Sequence, residues 1–434
     1  MKKMAKIVIA TFGSLGDLHP KLAIALELKA RGHDVTVAAM EFYREKIGLA
    51  GLNFAPMAPH LDPEDRELGK ELMDANRGTE KILRELVMPN LRQMYDDIMA
   101  AVDGADMLIT GEVVYAATSV VEKTGIKWVT TTLAPVSFFS VYDPPVPAQA
   151  PQFENLRFLG PTFHKYFFRF LQWTIRGWYE PYKKFRRDLG LSEDHDPIFA
   201  DKYSDLLHLV LFSKVLGERQ PDWPADAVQT GFCFYDGIDD LGTMPDGLEA
   251  FLNAGEPPIV FTLGSAAVMD SRDFFEQSAA AARMLNRRAV LLYGVFNNVP
   301  EGLSETVAGF EYAPYSRVFP RAACVVHQAG VGTTGQVLRA GVPHLIMPYS
   351  HDQPDNAARC RRLGVAEIVT RSEYDAEKAA EVLAKILSDE TYRKRASEVA
   401  EIVRSEPGTA AACDAVEEAL AEPSVLRKSL KNIK

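Results

Sequence analysis

The sequence predicts an α/β protein built as two doubly wound halves that face each other across a cleft. Three observations predict it. A rhythm of short apolar run, small-residue turn and helix runs from Lys6 to Thr132 and begins again near Pro258. Between the two, the stretch from Pro135 to about Pro224 is rich in proline and aromatic residues and breaks the rhythm. Finally, 434 residues are more than one hydrophobic core ordinarily organises, so two domains are expected.

Taken in order, Lys6–Thr11 is the first strand, Gly13–Asp17 a glycine turn, Pro20–Arg31 a helix and Asp34–Ala39 the next strand. Leu22, Ala25, Leu26 and Leu28 supply the helix's inner face and Gly32-His33 ends it, which completes a βαβ unit. Strands at Met107–Thr110 and Trp128–Thr132 flank a helix at Ala116–Thr124. The Pro135–Pro224 stretch reads as an insertion of helices lining a pocket. The second rhythm gives strand Ile259–Thr262, turn Leu263-Gly-Ser-Ala, helix Arg272–Leu285 and strand Ala289–Tyr293. Ala323–Val326 is a buried strand, followed by a turn and a helix that Gly341 and Pro343 close. Strand Leu345–Pro348, helix Asp355–Leu363 and strand Ala366–Val369 follow, then helices at Ala376–Leu387, Glu390–Val403 and Gly408–Ala421. The halves join near Pro221–Asp240.

Composition narrows the function classes. With 47% hydrophobic and 25% charged residues the protein is of soluble globular type. Its net charge of −11 argues against a nucleic-acid partner, because no basic surplus exists to neutralise phosphates. Cys233, Cys324, Cys360 and Cys413 are widely spaced, which reads as reduced thiols in a cytoplasmic protein. The basic start at Met1-Lys-Lys precedes an apolar run too short for a signal peptide, and no segment is long and apolar enough to span a bilayer.

The sharpest signal is His327-Gln-Ala-Gly-Val-Gly-Thr-Thr334. A turn without bulky side chains at a helix N-terminus exposes unpaired N–H groups beside the positive end of the helix dipole, so this is an anion site. His327 sits at the strand's carboxyl end, where open sheets bind ligands. The other glycine turn, Thr11-Phe-Gly-Ser-Leu-Gly-Asp-Leu-His-Pro20, leaves three readings open. With Glu41 after the second strand it could hold a dinucleotide, although its spacing is Gly-x-x-Gly and Asp17 would repel a pyrophosphate. Asp17 could cap the helix starting near Pro20, or act as a general base aimed into the cleft.

Tyr312-Ala-Pro-Tyr315 lies upstream of the phosphate turn and Pro348-Tyr-Ser-His-Asp-Gln-Pro-Asp-Asn356 downstream. The block from Tyr312 to Asn356 resembles the nucleotide-sugar donor motif of family 1 glycosyltransferases of the GT-B fold. Gly13–Pro20 is similar to bacterial members, including sterol, antibiotic and flavonoid glycosyltransferases. The likeness is greatest to rhamnosyltransferases of the rhamnolipid type, in Thr11–Pro20, Val141–Pro145 and His351–Asn356. The resemblance implies two Rossmann-like domains, with 1–235 binding the acceptor, 236–405 binding the donor and the helix of 406–434 returning to the first domain.

It also implies roles. Tyr312 would stack on the donor's base and the Ala313 backbone would meet its edge. His327 and the turn Gly330, Gly332, Thr333 and Thr334 would grip the diphosphate, with Ser265 reaching it from the other side. Asp352 and Gln353 would serve the sugar, and Asn356 is also expected at the donor site, although Asp352 or Asp355 could equally cap a helix. Asp17 stands where many members carry a histidine base, and His19 could serve or share that role. Gly13, Ser14, Phe138, Phe139, Tyr142, Phe167 and Trp173 would line the acceptor site. The implied reaction is an inverting displacement that moves a hexose from dTDP-rhamnose or UDP-glucose to a hydroxyl of an apolar acceptor such as a lipid hydroxy acid, sterol, flavonoid or macrolide. No cofactor and no metal are expected, and Asp194-His-Asp196 reads as a loop rather than an ion site. Two other classes stay open, a non-catalytic nucleotide-sugar-binding subunit and a nicotinamide-dependent oxidoreductase. Oligomeric state is not fixed by the sequence.

Phe163–Arg187 is unusually aromatic and basic. It reads as a core-packed helix with snorkelling cations, as an acceptor-pocket wall, or as a helix lying peripherally on an anionic membrane surface.

Overall fold

The computed structural model describes residues 4–62, 65–237, 243–295 and 299–422. Expectations for the end of the Pro221–Asp240 junction and for 423–434 fall outside them.

The first lobe runs β1 (Lys6–Ala10), α1 (Leu15–Ala30), β2 (Asp34–Ala39), α2 (Arg44–Leu49), β3 (Asn53–Pro56), α3 (Arg66–Leu72), α4 (Gly78–Lys81), α5 (Leu91–Ala101) and β4 (Met107–Thr110). It continues with α6 (Ala117–Thr124), β5 (Lys127–Thr132), α7 (Gly160–Ile175), α8 (Glu180–Asp188), β6 (Leu207–Val210) and β7 (Ala227–Gln229). All pairs are parallel, in the order β3-β2-β1-β4-β5-β6-β7. Buried parallel strands read as unbroken apolar runs, and Ile7, Val8, Ile9 and Ala10 of β1 and all of β4 are buried.

The second lobe runs α9 (Leu248–Asn253), β8 (Ile259–Thr262), α10 (Phe274–Met284), β9 (Ala289–Leu292), β10 (Val307–Phe310), α11 (Tyr315–Val318), β11 (Cys324–His327), α12 (Val331–Ala340) and β12 (His344–Ile346). Then come α13 (Gln353–Arg362), β13 (Ala366–Ile368), α14 (Ala376–Ser388), α15 (Glu390–Ser405) and α16 (Thr409–Ala421). Its sheet is also parallel, in the order β10-β9-β8-β11-β12-β13. Helix α16 lies against α1, where Arg31 pairs with Asp414 and Glu417 at 2.6 and 2.9 Å.

Each lobe has its own core, and a further apolar cluster bridges them. Val210, Phe212, Leu216, Trp223 and Phe232 from one side meet Ala329, Leu338, Ile346 and Cys360 from the other. A buried polar link adds to it. Asp355 accepts the Val146 N–H at 3.0 Å and the Arg359 Nε at 2.7 Å, while Arg359 also pairs with Asp143. Burial pulls the Asp143 carboxyl up, but Arg359 and Arg157 outweigh it and hold it below the ordinary carboxylate range. The α3–α4 segment straps the lobes as well, with Thr79 Oγ1 3.0 Å from His351 Nδ1 and the Leu72 carbonyl 2.8 Å from His351 Nε2.

Several expectations need correcting. The first helix starts at Leu15, not near Pro20, because Ser14 caps it and Pro20 is carried inside the helix. Strands β3, β6, β7 and β10 are additional to those expected. α7 is not core-packed. Only His164 and Phe168 of it are buried, so its aromatics mostly face outward.

Candidate active site

In each sheet the strand order reverses once, between β1 and β4 and between β8 and β11. Crevices at such switch points, beyond the carboxyl ends of the strands, are where doubly wound sheets bind ligands. The two sequence turns, Gly13–Asp17 after β1 and Gln328–Gly330 after β11, sit at these two points. They also face each other. Gly332 in the first turn of α12 comes so near Gly16 in the first turn of α1 that a methyl on it would lie 3.9 Å from the Gly16 Cα.

The α1 terminus is filled by its own side chains. Ser14 Oγ accepts from the Gly16 N–H at 3.2 Å, and Asp17 Oδ2 accepts from the Ser14 N–H at 2.8 Å, a capping box. Gly13 adopts φ +133°, and a methyl there would strike the Asp17 carboxylate, so the tight turn and the acid require each other. Burial pushes the Asp17 carboxyl up to about 6, against the pull of Lys21 and the Ser14 N–H. Lys21, one helical turn on, is wholly buried and its ammonium makes no hydrogen bond. Glu112, beyond β4, adds negative charge to this neighbourhood and accepts from Ser137 Oγ at 2.8 Å. His19 is half-buried with its ring 5.0 Å from that of Tyr235.

The α12 terminus is built the opposite way. Gly330 precedes it, no side chain of its own caps it, and its first turn holds no acid. Asp352 Oδ2 accepts the Val331 N–H at 3.1 Å from outside the helix, which leaves the Gly332 and Thr333 amides without an intrahelical acceptor. Around them sit buried polar atoms with no partner, namely Gln328 Oε1, Thr334 Oγ1 and Asn356 Oδ1. Gly264, at φ +65° after β8, lets the Gln328 amide lie against that turn, since a methyl there would collide with the Gln328 nitrogen. Ser265 follows it and is exposed. Unpaired buried polar atoms are costly, so this cluster marks a place for a ligand, to which the open amides and the Thr334 hydroxyl can donate while the two amide oxygens can only accept.

His327 does not face this crevice. Its Nδ1 accepts the Ala329 N–H at 3.1 Å and its Nε2 lies 3.1 Å from His344 Nδ1, both inside the protein. Burial pushes the ring down to about 3, so the imidazole is neutral. The expected direct grip on a diphosphate is therefore replaced by support of the turn, and Gln328 is the side chain that reaches the site.

Asp352 sits against the α12 terminus and feels the charge of the α1 terminus. It accepts from Asn356 Nδ2 at 2.7 Å, and burial together with the Asp17 charge across the interface pushes it up to about 7. Gln353 is buried with its carbonyl accepting the Tyr349 N–H at 2.9 Å, so only its amide nitrogen is left for a ligand. Tyr312 is half-buried with its ring 6.1 Å from that of Tyr315, whose hydroxyl bonds Thr262 at the end of β8 at 2.9 Å, and Ala313 is buried beside it.

The expected acceptor residues separate. Phe139 packs against Phe168 and Phe199 with Lys202 over its ring at 5.3 Å. The Lys202 ammonium donates to the Ser137 carbonyl at 2.6 Å, and burial pushes it down to about 8. Phe138 instead stacks on Trp223 at 4.1 Å within the bridging cluster. Phe167 stacks on Phe153, while Tyr142 and Trp173 are 51% and 58% exposed. Trp173 lies on the outer surface and does not wall a pocket. Glu41 is exposed and paired with Arg44, away from any ribose role. No cluster of three metal-binding side chains occurs among the described residues.

Comparison with known proteins fits this geometry. Residues 7–137 match the glycosyltransferase family 28 N-terminal domain, and residues 295–419 match the erythromycin biosynthesis protein CIII-like C-terminal domain. The sequence is similar to the O-mycaminosyltylonolide 6-deoxyallosyltransferase of Streptomyces fradiae, at 31% identity over 95% of this protein and 97% of that one. It is 29% identical to the vancomycin aglycone glucosyltransferase of Amycolatopsis orientalis, over 94% and 96%. Among solved structures, the glycosyltransferase of kitacinnamycin matches with a TM-score of 0.73 at 21% identity, over 96% and 100%. A spinosyn rhamnosyltransferase complexed with thymidine diphosphate matches with a TM-score of 0.67 at 16% identity, over 95% and 100%.

Proposed function

The protein belongs to the glycosyltransferases, as a sugar-transferring enzyme of two Rossmann-like domains in the GT-B arrangement, and from that premise we propose how it works. It moves a hexose from a dTDP- or UDP-sugar to a hydroxyl of an apolar natural product, with inversion at the anomeric carbon. The acceptor hydroxyl gives its proton to Asp17 as its oxygen bonds the anomeric carbon. The bond from that carbon to the diphosphate oxygen breaks on the opposite face. Charge building on the diphosphate falls to the Gly332 and Thr333 amides, the Gln328 amide and the α12 dipole, so the reading calls for no metal ion.

The observation that carries this reading is the meeting of the two helix termini, one holding a carboxylate and the other held open with unpaired donors. A carboxyl near 6 is ionised at neutral pH, yet basic enough to share a proton in the transition state. Relatives named for 6-deoxyallosyl and glucosyl transfer, and a solved rhamnosyltransferase holding thymidine diphosphate, favour a dTDP- or UDP-hexose donor. Relatives named for mycaminosyltylonolide and vancomycin aglycone favour a natural-product acceptor, and the aromatic cluster of Phe139, Phe168 and Phe199 favours an apolar one.

A nucleotide panel read by thermal shift tests it. A ligand that binds only the folded state at a hundred times its Kd adds about 2.7 kcal/mol of stability. dTDP or UDP should raise the melting temperature and NAD should not. A shift with NAD alone would sink the reading. One observation favours a second reading, since Asp17 is already employed in the cap. A nucleotide-sugar-binding subunit would show the dTDP or UDP shift and transfer nothing to any acceptor.

A further inference from the structure

We propose that the outer face of α7 docks on an anionic lipid bilayer. Leu159, Phe163, Tyr166, Phe170 and Trp173 recur at helical spacing and form one outward stripe. Phe158 just before the helix is 81% exposed, and Tyr166, Phe170 and Trp173 are 64%, 57% and 58% exposed. Large aromatic side chains lined up in water mark a surface that something covers. Lys165, Arg169 and Arg176 form a second row along its flank, with the Arg176 guanidinium 5.3 Å from the Trp173 ring. No acidic residue occurs from Gly160 to Tyr179, in a protein whose net charge is −11. Local charge thus opposes global charge at this face.

That pairing of aromatic stripe and basic row complements an acyl–headgroup boundary carrying negative lipids. A second copy of the protein fits less well, because a two-fold contact would bring the same basic rows together. The rest of the insertion is tied down. Arg186 of α8 is wholly buried and donates to both oxygens of Glu122 at 2.8 and 3.0 Å, and Tyr182 bonds Thr118 at 2.8 Å. On the inner side of α7, Phe168 is buried, with its ring 6.2 Å from that of Phe139. The helix is therefore held from within and bare without.

Flotation of the full-length protein with vesicles tests this without reference to sugar transfer. Phosphatidylcholine vesicles containing one quarter phosphatidylglycerol should carry the protein at low salt. Pure phosphatidylcholine should carry far less, and high salt should release it. The Phe170→Ser/Trp173→Ser variant should lose about tenfold or more in bound fraction, with an unchanged melting temperature. Lys165→Gln/Arg169→Gln should lose the preference for phosphatidylglycerol. Failure of the native protein to float with either vesicle overturns the proposal. So does a dimer in solution that the aromatic substitutions dissociate, since a second copy would then cover the face.

Discussion

The N-termini of α1 and α12 occupy equivalent places in two versions of one fold unit, each after a parallel strand beside a switch point, yet their chemistry is opposite. The first satisfies its own amides with Ser14 and Asp17, so the helix dipole is already answered by a fixed negative group. The second carries no acid and no side-chain cap of its own, and buried polar atoms around it wait unpaired. Pressed together, they make one crevice with a carboxylate on one wall and uncapped helix amides on the other. The difference teaches that one architecture yields an acid-capped helix start or an open one according to two or three residues.

Making the second terminus like the first is the harshest way to break this contrast. Gly332→Asp puts a carboxylate where the diphosphate is proposed to sit, and like-charge contact should weaken dTDP or UDP binding on the order of a hundredfold or more. Asp352 and Asp17 nearby offset what the dipole gains from an acid in the first turn, so a melting temperature close to native is expected, which separates lost binding from lost fold. Isothermal titration and a melt on the same sample decide it. Next in size, Gly13→Ala forces the Asp17 carboxylate aside. Turnover should fall roughly tenfold to a hundredfold with donor Kd unchanged, because a small misplacement of a catalytic group costs rate. Gln328→Leu removes one amide donor, and nucleotide affinity should drop about tenfold in a binding assay.

The smallest effect is in pH. Burial raises the Asp17 carboxyl to about 6 and the Asp352 carboxyl to about 7, from an ordinary 3.8. The folded state therefore holds these protons more tightly than the unfolded state, so their contribution to stability declines as pH rises across that range. Turnover should run the other way, climbing through pH about 6 as the base ionises. Asp352→Asn should leave the acid limb of kcat/KM in place, because a carboxyl held up to about 7 is still mostly protonated where Asp17 titrates.

Local signals carry much of the fold and half of the site. β1, β4, β8 and β11 are apolar runs, and both site turns follow such a run directly, at β1 and β11. The start of α1 is masked because Pro20 resembles a first-turn proline, whereas the Ser14–Asp17 box sets the true start five residues earlier. That box is also the signal for the pose of Asp17. The role of His327 escapes a linear reading because its partner His344 lies on the neighbouring strand, and only register brings the two rings together. The Asp143–Arg359–Asp355 link joins residues more than two hundred positions apart, so no window of sequence contains it. α7 is ambiguous in sequence because an aromatic stripe with cations has the same periodicity whether it faces a core or a bilayer.

The division of labour between the two helix starts is tested most directly by one variant with two readouts, Asp17→Asn. The account predicts a nucleotide Kd within about twofold of the native protein and sugar transfer reduced on the order of a hundredfold to ten-thousandfold. Near-native transfer by Asp17→Asn would contradict it, and so would a loss of nucleotide binding as large as the loss of transfer.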